Sequence, residues 1–145
     1  MYKRQIEDIC QLIIDENIDG IIATNTSLDR LGFEQRKIKQ TGLLLSEENG
    51  GLSGKPLQLK ANKIIQHIHN IDNNIKLIGV GGIDSPESAW ERICSGASLV
   101  QIYTGWIYKG PQLVPNILNG IIKQLNTHQL SNIGEAIGSN LEWIE

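Results

Sequence analysis

The sequence predicts an α/β fold in which parallel strands alternate with helices, and within this class the C-terminal portion of a (β/α)8 TIM barrel. Three short apolar runs without polar alternation indicate parallel strands that are covered on both faces. Segments with helical apolar spacing separate these runs, which is the order of βα units. Three strands are too few for an open doubly wound sheet, and a closed barrel takes about 250 residues. We therefore expect the 145 residues to form part of a larger barrel whose N-terminal strands are absent.

The first predicted elements are a helix, a strand and a long loop. Apolar residues recur at helical spacing from Lys3 to Asn17, which predicts an amphipathic helix. The run "IDGIIATNT" predicts the first strand, with the polar tripeptide Thr24-Asn25-Thr26 at its tip. Residues 27–54 show no period, and a connection of this length usually has a functional or lid-like role.

The remaining elements continue the alternation. A second helix is expected after the loop, and "KLIGVGG" predicts the second strand. Ser85 followed by Pro86 predicts the start of a third helix, with Ser85 as the N-cap and Gly96 as the stop. The run "SLVQIYT" predicts the third strand, and residues 114–125 predict a last amphipathic helix. The tail "SNIGEAIG" is expected to add a turn of helix.

Composition and charge exclude several classes of function. A content of 40% hydrophobic and 20% charged residues is typical of a globular domain, and a net charge of −3 offers no basic surface for nucleic acid. No apolar run approaches the roughly 20 residues of a membrane-spanning helix. The start "MYKRQIEDIC" lacks the apolar core of a signal peptide, so a cytoplasmic location is expected. Cys10 and Cys94 lack metal-ligand or CxxC spacing, so no metal site is expected and both are predicted to be buried, inert thiols.

Polar or glycine residues end all three predicted strands. The carboxyl ends of parallel strands meet at one edge, so Thr24-Asn25-Thr26, Gly81-Gly82 and Tyr103-Thr104 are expected to converge on a ligand site. In barrels the last two strand ends often bind a phosphate, and glycines let backbone N–H groups approach it closely. Gly81-Gly82 is therefore predicted to border a phosphate. The alternative is that the pair only allows a tight turn from strand to helix.

Two further motifs fit the same site. The amide of Asn25 presents donors and an acceptor in one plane, which suits a ligand with adjacent carbonyl and N–H groups. The alternative for this residue is an Asn-capped turn. The run "GGLSGKP" resembles an anion-binding nest but lacks the P-loop spacing, and a plain flexible turn is the alternative.

Four segments together resemble a known family. They are "DGIIATNTSLDR", "GGLSGKPLQLKANKII", "KLIGVGGI" and "GASLVQIYTGWIYKGP", which keep their order from Asp19 to Pro111. The set resembles the C-terminal half of a class 2, quinone-dependent dihydroorotate dehydrogenase, and "SGKPL" and "QIYT" favour this class over the soluble class 1. The resemblance implies an FMN-dependent barrel that oxidises dihydroorotate to orotate in pyrimidine (UMP) biosynthesis and passes electrons to a membrane quinone.

The resemblance also implies roles for residues at matching motif positions. Asn25 and Thr26 would hydrogen-bond the dihydroorotate ring. Tyr103 and Thr104 would supply N–H and hydroxyl donors to the FMN phosphate, with Ser53 as a neighbour. The residues implied for cofactor binding are Thr24, Gly54, Gly82, Tyr103 and Thr104, and Gly81 is expected in the same shell.

The same resemblance places the catalytic serine base, a flavin-contacting lysine and the quinone-site helices before the part matched here. It therefore assigns no catalytic residue to this chain. We expect residues 1–145 to be the C-terminal part of the barrel, inactive alone, and either completed by an N-terminal half or prone to self-association. The full enzyme would be peripheral on the cytoplasmic side of the cell inner membrane. The alternative is a stand-alone or remnant flavin- or phosphate-binding module without catalysis.

Overall fold

The structure is a computed structural model that describes residues 2–145, with side chains from Lys3 onward. Helices and strands alternate along the chain after the first helix. The elements are α1 (Tyr2–Asp15), β1 (Gly20–Ala23), α2 (Gln58–Ile71), β2 (Lys76–Val80), α3 (Pro86–Cys94), β3 (Leu99–Gln101), α4 (Thr104–Lys109) and α5 (Leu113–Thr127), with short 3-10 helices at Leu45–Glu47, Lys55–Leu57 and Ile133–Ala136.

The strands form one parallel sheet in the described part of the chain, in the order β1-β2-β3. Ile22, Ile78 and Leu99 lie side by side across this sheet. Helix α2 connects β1 to β2, and α3 connects β2 to β3. The predicted α/β alternation of parallel strands and helices is therefore confirmed.

The prediction that the strands are covered on both faces is wrong for the residues described. Ala23 and Leu77 face the helices and are buried, whereas Ile22 and Leu99 on the opposite face are 58% and 63% exposed. Successive side chains of a strand point to opposite faces, so helices cover only one face of this sheet. Both faces have an apolar sequence, and only tertiary contacts decide which one is covered.

Three apolar clusters fill the covered side. Helices α1 and α2 pack on β1 and β2 through Cys10, Ile65 and Leu77. Helices α3 and α5 meet around Ala89 and Ile117, and Trp90, Ile93 and Cys94 pack with the C-terminal tail. Burying each large apolar side chain contributes about 1.5–3 kcal/mol. Cys10 and Cys94 are buried free thiols, as predicted, and the tail forms the expected turn of helix at Ile133–Ala136.

Element boundaries agree with the pattern at α3 and differ at β3. The Ser85 hydroxyl accepts a hydrogen bond from the Ser88 N–H, which confirms the predicted N-cap, with Pro86 in the first helical position. The third strand was expected to reach Thr104 but ends at Gln101, and the unpredicted helix α4 begins at Thr104. Six residues are too few to show a helical period.

Candidate functional site

A cavity of about 420 Å³ lies at the carboxyl ends of the three strands, on the open face of the sheet. It brings together every residue that the sequence predicted for a ligand site. The predicted residues that line it are Thr24, Asn25, Thr26, Ser53, Gly54, Gly81, Gly82, Tyr103 and Thr104. Parallel topology causes this convergence, because all strands of such a sheet end at the same edge.

Gly82 lies at the centre of a tight backbone contact in this cavity. It is buried, its φ is +78°, and a Cβ built on it would lie 2.7 Å from the backbone N of Gln58. No other described residue accepts a hydrogen bond from the Gly82 N–H. Position 82 therefore requires glycine because of its positive φ and because a Cβ would clash with Gln58. The Gly82 N–H is an unused backbone donor beside the cavity.

Gly54 and Thr104 line the same cavity as Gly82, and we call the surface formed by these three residues the cradle. Gly54 has a φ of +74°, and a Cβ there would lie 2.9 Å from Cγ2 of Thr104. The Thr104 hydroxyl donates to the Ser53 hydroxyl oxygen at 3.1 Å. The Tyr103 side chain is 75% exposed at the rim. Hydroxyl groups and glycine backbone thus surround a space that a phosphate could occupy.

The tip of β1 presents an amide group next to this cradle. The Thr24 N–H donates to the Val80 carbonyl at 3.1 Å, which holds the tip against β2. The Asn25 Oδ1 accepts from the Thr26 N–H at 2.7 Å, whereas an Asn-capped turn would use the N–H of Ser27, which donates to the Leu52 carbonyl instead. The Asn25 NH₂ group makes no hydrogen bond to other described residues and remains available to a ligand. The alternative of an Asn-capped turn is therefore not what the structure forms at Asn25.

Comparison with known proteins identifies the family. A family profile described as dihydroorotate dehydrogenase matches residues 1–125. The chain belongs to the dihydroorotate dehydrogenase family. A protein of Prochlorococcus marinus (strain MIT 9313) named dihydroorotate dehydrogenase (quinone) is 52% identical over 139 residues, which cover 95% of this chain and 36% of the relative. A protein of the same name from Nostoc sp. (strain PCC 7120) is 48% identical, over 92% of this chain and 36% of the relative.

Solved structures agree with this assignment. The crystal structure of the Eimeria tenella DHODH in complex with ferulenol superposes with a TM-score of 0.81 at 29% identity, covering 95% of this chain and 35% of that one. The ligand-free Eimeria tenella enzyme gives a TM-score of 0.79. The chain thus spans about a third of the length of the dihydroorotate dehydrogenases that it matches. The predicted resemblance and the barrel-type α/β fold are confirmed.

Sequence patterns did not single out Arg92, which lies behind the glycine turn. Its side chain is fully buried, its Nη2 donates to the Gly81 carbonyl at 2.7 Å, and its Nε donates to Asn62 Oδ1 at 2.6 Å. Burial lowers the pKa of this guanidinium to about 10, so it stays positively charged at neutral pH. The sequence signal that could have indicated this contact is Gly79, a glycine inside strand β2. A Cβ at Gly79 would lie 2.6 Å from the Arg92 side chain, so glycine leaves room for the arginine.

Basic side chains line an adjoining cavity of about 800 Å³ that shares Ser53, Gly54, Gly82 and Thr104 with the first. They are Arg36, Lys37, Lys39, Lys55 and Lys109. Asp84 also lines this cavity, so the basic side chains outnumber the acidic one and the charge balance favours an anionic ligand.

The described residues include neither a cluster of metal-ligating side chains nor a membrane-spanning helix. Among residues 2–145, no group of three or more His, Cys, Asp or Glu side chains could hold a metal ion. No helix in the same range is long and apolar enough to cross a membrane.

Proposed function

We propose that this chain is the C-terminal, FMN-binding part of a quinone-dependent dihydroorotate dehydrogenase. The complete enzyme would oxidise dihydroorotate to orotate in pyrimidine synthesis and transfer the electrons to a quinone. One observation carries this proposal: in a chain of this family, a donor-rich glycine cradle and a polar strand tip line a single cavity. The named relatives are quinone-dependent enzymes, which supports quinone as the electron acceptor.

The residues of the cradle fit the phosphate end of FMN. A Cβ at Gly54 or Gly82 would collide with neighbouring atoms, so the close backbone approach depends on glycine. The unused Gly82 N–H supplies a donor of the type that phosphates bind. Tyr103 and Thr104 would hold the phosphate through N–H and hydroxyl groups, and Thr24 would contact the ring. When bound, FMN would supply the redox-active ring system of the reaction.

The strand tip would bind and orient the substrate. The Asn25 NH₂ group is available on the exposed tip, and Thr26 adds a hydroxyl. Removal of a proton from the substrate carbon requires a positioned base. Among the cavity residues Ser53 already accepts a hydrogen bond from Thr104, and we assign no base to this chain. We propose that the base comes from the other part of the barrel.

The open face of the sheet supports the proposal of a complementary half. The exposed Ile22 and Leu99 form an apolar surface next to the cavity, and β1 and β3 each have an edge with no partner strand among the described residues. Further parallel strands would cover this face and close the cavity. The alternative partner is a second copy of the chain.

A chimaeric enzyme tests the proposal directly. This chain would replace the matching 139-residue segment of the Prochlorococcus marinus relative. We expect bound FMN and quinone reduction that depends on dihydroorotate. In this chimaera Asn25→Ala should leave the flavin content unchanged and lower kcat/KM. Lost hydrogen bonds to a buried polar ligand cost about 1–3 kcal/mol, or roughly 5- to 150-fold.

The matched control is Asn73→Ala, which changes the same residue type on an exposed turn between α2 and β2. It should leave both flavin content and kcat/KM unchanged. Loss of flavin in Asn25→Ala, or full kcat/KM, would show that the strand tip does not bind the substrate.

A second candidate function is a flavin- or phosphate-binding module without catalysis. It is favoured by the absence of an assigned base among the described cavity residues. The chimaera distinguishes the two candidate functions, because a binding module would bind FMN but give no dihydroorotate-dependent quinone reduction.

A further inference from the structure

We infer that Arg92 is a positioning residue for the anion in the cradle, because its guanidinium directs the Gly82 N–H towards the cavity and places a positive charge behind it. The inference rests on the proposed function, in which the phosphate of FMN lies at Gly82. It concerns a residue that does not line the cavity and would not touch the ligand.

The direction of the N–H follows from the geometry of one peptide unit. The Gly81 carbonyl and the Gly82 N–H belong to the same planar trans peptide, so they point in opposite directions. Arg92 Nη2 binds that carbonyl at 2.7 Å. The arginine contacts Gly79 on the helix-covered side of the sheet, whereas the cavity lies on the open side. The Gly82 N–H therefore faces away from Arg92, on the side of the cavity.

The same contact fixes the turn to the start of α2. Arg92 Nη2 also lies 3.4 Å from the Gln58 carbonyl, and Gln58 is the residue whose backbone Gly82 touches. Arg92 Nε binds the Asn62 side chain one turn further along α2. One buried side chain thus holds the two backbone segments that meet behind the cradle.

Glu91 is the acid that acts on the charge of Arg92, and it does so without a direct ion pair: its negative charge raises the pKa of Arg92 against the larger effect of burial. The guanidinium contacts carbonyl and amide oxygens, and the acid of this network, Glu91, binds the amide groups of Gln58 and Asn62. Arg92 Nη1 is buried and has no hydrogen-bond partner. Buried cations usually have a paired anion, and charges act over longer distances in a low-dielectric interior. A phosphate at Gly82 would add a second negative charge near the guanidinium.

FMN and riboflavin differ by the phosphate alone, so their affinities test this inference. Both would be titrated into the flavin-free form of the chimaeric enzyme described above, in which the rest of the barrel is present, with binding followed by quenching of flavin fluorescence. We expect the chimaera without substitutions to bind FMN more tightly than riboflavin. In Arg92→Gln the ratio of these two affinities should fall about 5- to 30-fold, which corresponds to one or two kcal/mol. Riboflavin affinity should change little, and Arg92→Lys, which keeps a charge and a donor, should recover most of the preference.

Asn62→Asp provides a second variant that keeps the arginine. The new carboxylate would keep the acceptor that lies 2.6 Å from Arg92 Nε and bring a negative charge to it, while the Asn62 Nδ2 donor to Glu91 Oε2 at 3.3 Å would be lost. We expect it also to lower the preference for FMN over riboflavin. It keeps the inference testable if Arg92→Gln does not fold.

The outcomes that would overturn the inference are distinct. If a folded Arg92→Gln or Asn62→Asp variant keeps the wild-type preference for FMN, Arg92 has only a structural role. The same conclusion follows if the two affinities fall in parallel with the melting temperature. If the unsubstituted chimaera binds neither flavin, or binds both equally, the phosphate site itself fails and the proposed function fails with it.

Discussion

Gly82 and Gly110 both have a positive φ but different surroundings. Their φ angles are +78° and +72°, yet a Cβ at Gly110 would meet nothing within 4 Å, whereas one at Gly82 would meet the backbone of Gln58. This pair separates the cost of backbone strain from the cost of a steric clash at the cradle.

We expect Gly82→Ala to destabilise the protein more than Gly110→Ala. Both substitutions place a side chain at positive φ, which costs about 1–3 kcal/mol, and the clash at position 82 adds roughly 1–3 kcal/mol. Urea unfolding measures the free energies, and FMN titration should show weaker binding for Gly82→Ala alone. Equal losses of stability for the two variants would show that the cradle accommodates a side chain.

The buried cysteines link stability to alkaline pH. Burial is the largest cause that raises the pKa of the Cys10 thiol above its ordinary value of 9.0, and the nearby Asp72 and Glu7 carboxylates raise it further. A thiol with a raised pKa in the folded state contributes stability below the unfolded pKa, and this stability is lost as pH rises through the folded pKa.

We therefore expect the free energy of unfolding to fall above about pH 9. Replacing Cys10 by Ala removes this titration, so the variant should lose less stability between pH 8 and pH 10 than wild type does. Both curves are obtained by urea unfolding. Rapid reaction of the native thiols with a thiol reagent at pH 8 would contradict their burial.

At the scale of elements, α3 owes its start to a reciprocal serine pair. The Ser85 hydroxyl accepts from the Ser88 N–H at 3.2 Å, and the Ser88 hydroxyl accepts from the Ser85 N–H at 3.0 Å. This cap fixes the point where the chain leaves the Gly81-Gly82 turn and enters the helix that carries Arg92. Local sequence is sufficient to place such a cap.

Ser85→Ala should lower the free energy of unfolding by about 1 kcal/mol, since the substitution leaves a helix N–H without its acceptor. Ser131→Ala is the control, because that exposed hydroxyl makes no hydrogen bond to other described residues and its loss should cost under about 0.5 kcal/mol. Thermal unfolding compares the two. An equally small effect at Ser85 would mean that Pro86 alone determines the helix start.

The loop of residues 27–54 shows what periodicity cannot predict. It was expected to lack regular structure, and it contains only isolated bridges and one short 3-10 helix. Arg30 organises it by donating to the carbonyls of Ser46, Glu48 and Gly50. These contacts are 16 to 20 residues apart in sequence, so no local pattern announces them. A lid-like role remains a prediction.

At the scale of the whole molecule, the open sheet face determines how the chain behaves alone. Ile22 and Leu99 are both more than half exposed on this face, and the outer edges of β1 and β3 pair with no strand in the described range. Exposed apolar strands with free edges promote association. The chain alone is therefore expected to form oligomers or to precipitate.

Leu99→Lys should raise the monomer fraction in sedimentation velocity, because it places a charge on the exposed face at the edge strand β3. Leu31→Lys is the matched control: Leu31 is 81% exposed on the long loop, away from the sheet, and its substitution should change nothing. A wild-type chain that sediments as a single monomer and melts cooperatively would argue against an unsatisfied barrel face.

The sequence by itself determined the α/β order, the cap at Ser85, the buried cysteines and the set of strand-tip residues. These features depend on local periodicity, on short-range hydrogen bonds and on the rule that parallel strands end at one edge. Only the tertiary structure decided which face of the sheet the helices cover and where β3 ends and α4 begins. It alone also showed that Arg92 donates a hydrogen bond to the Gly81 carbonyl. Each of these depends on contacts between residues distant in sequence or on elements too short for a period, and an apolar strand looks the same whichever of its faces is packed.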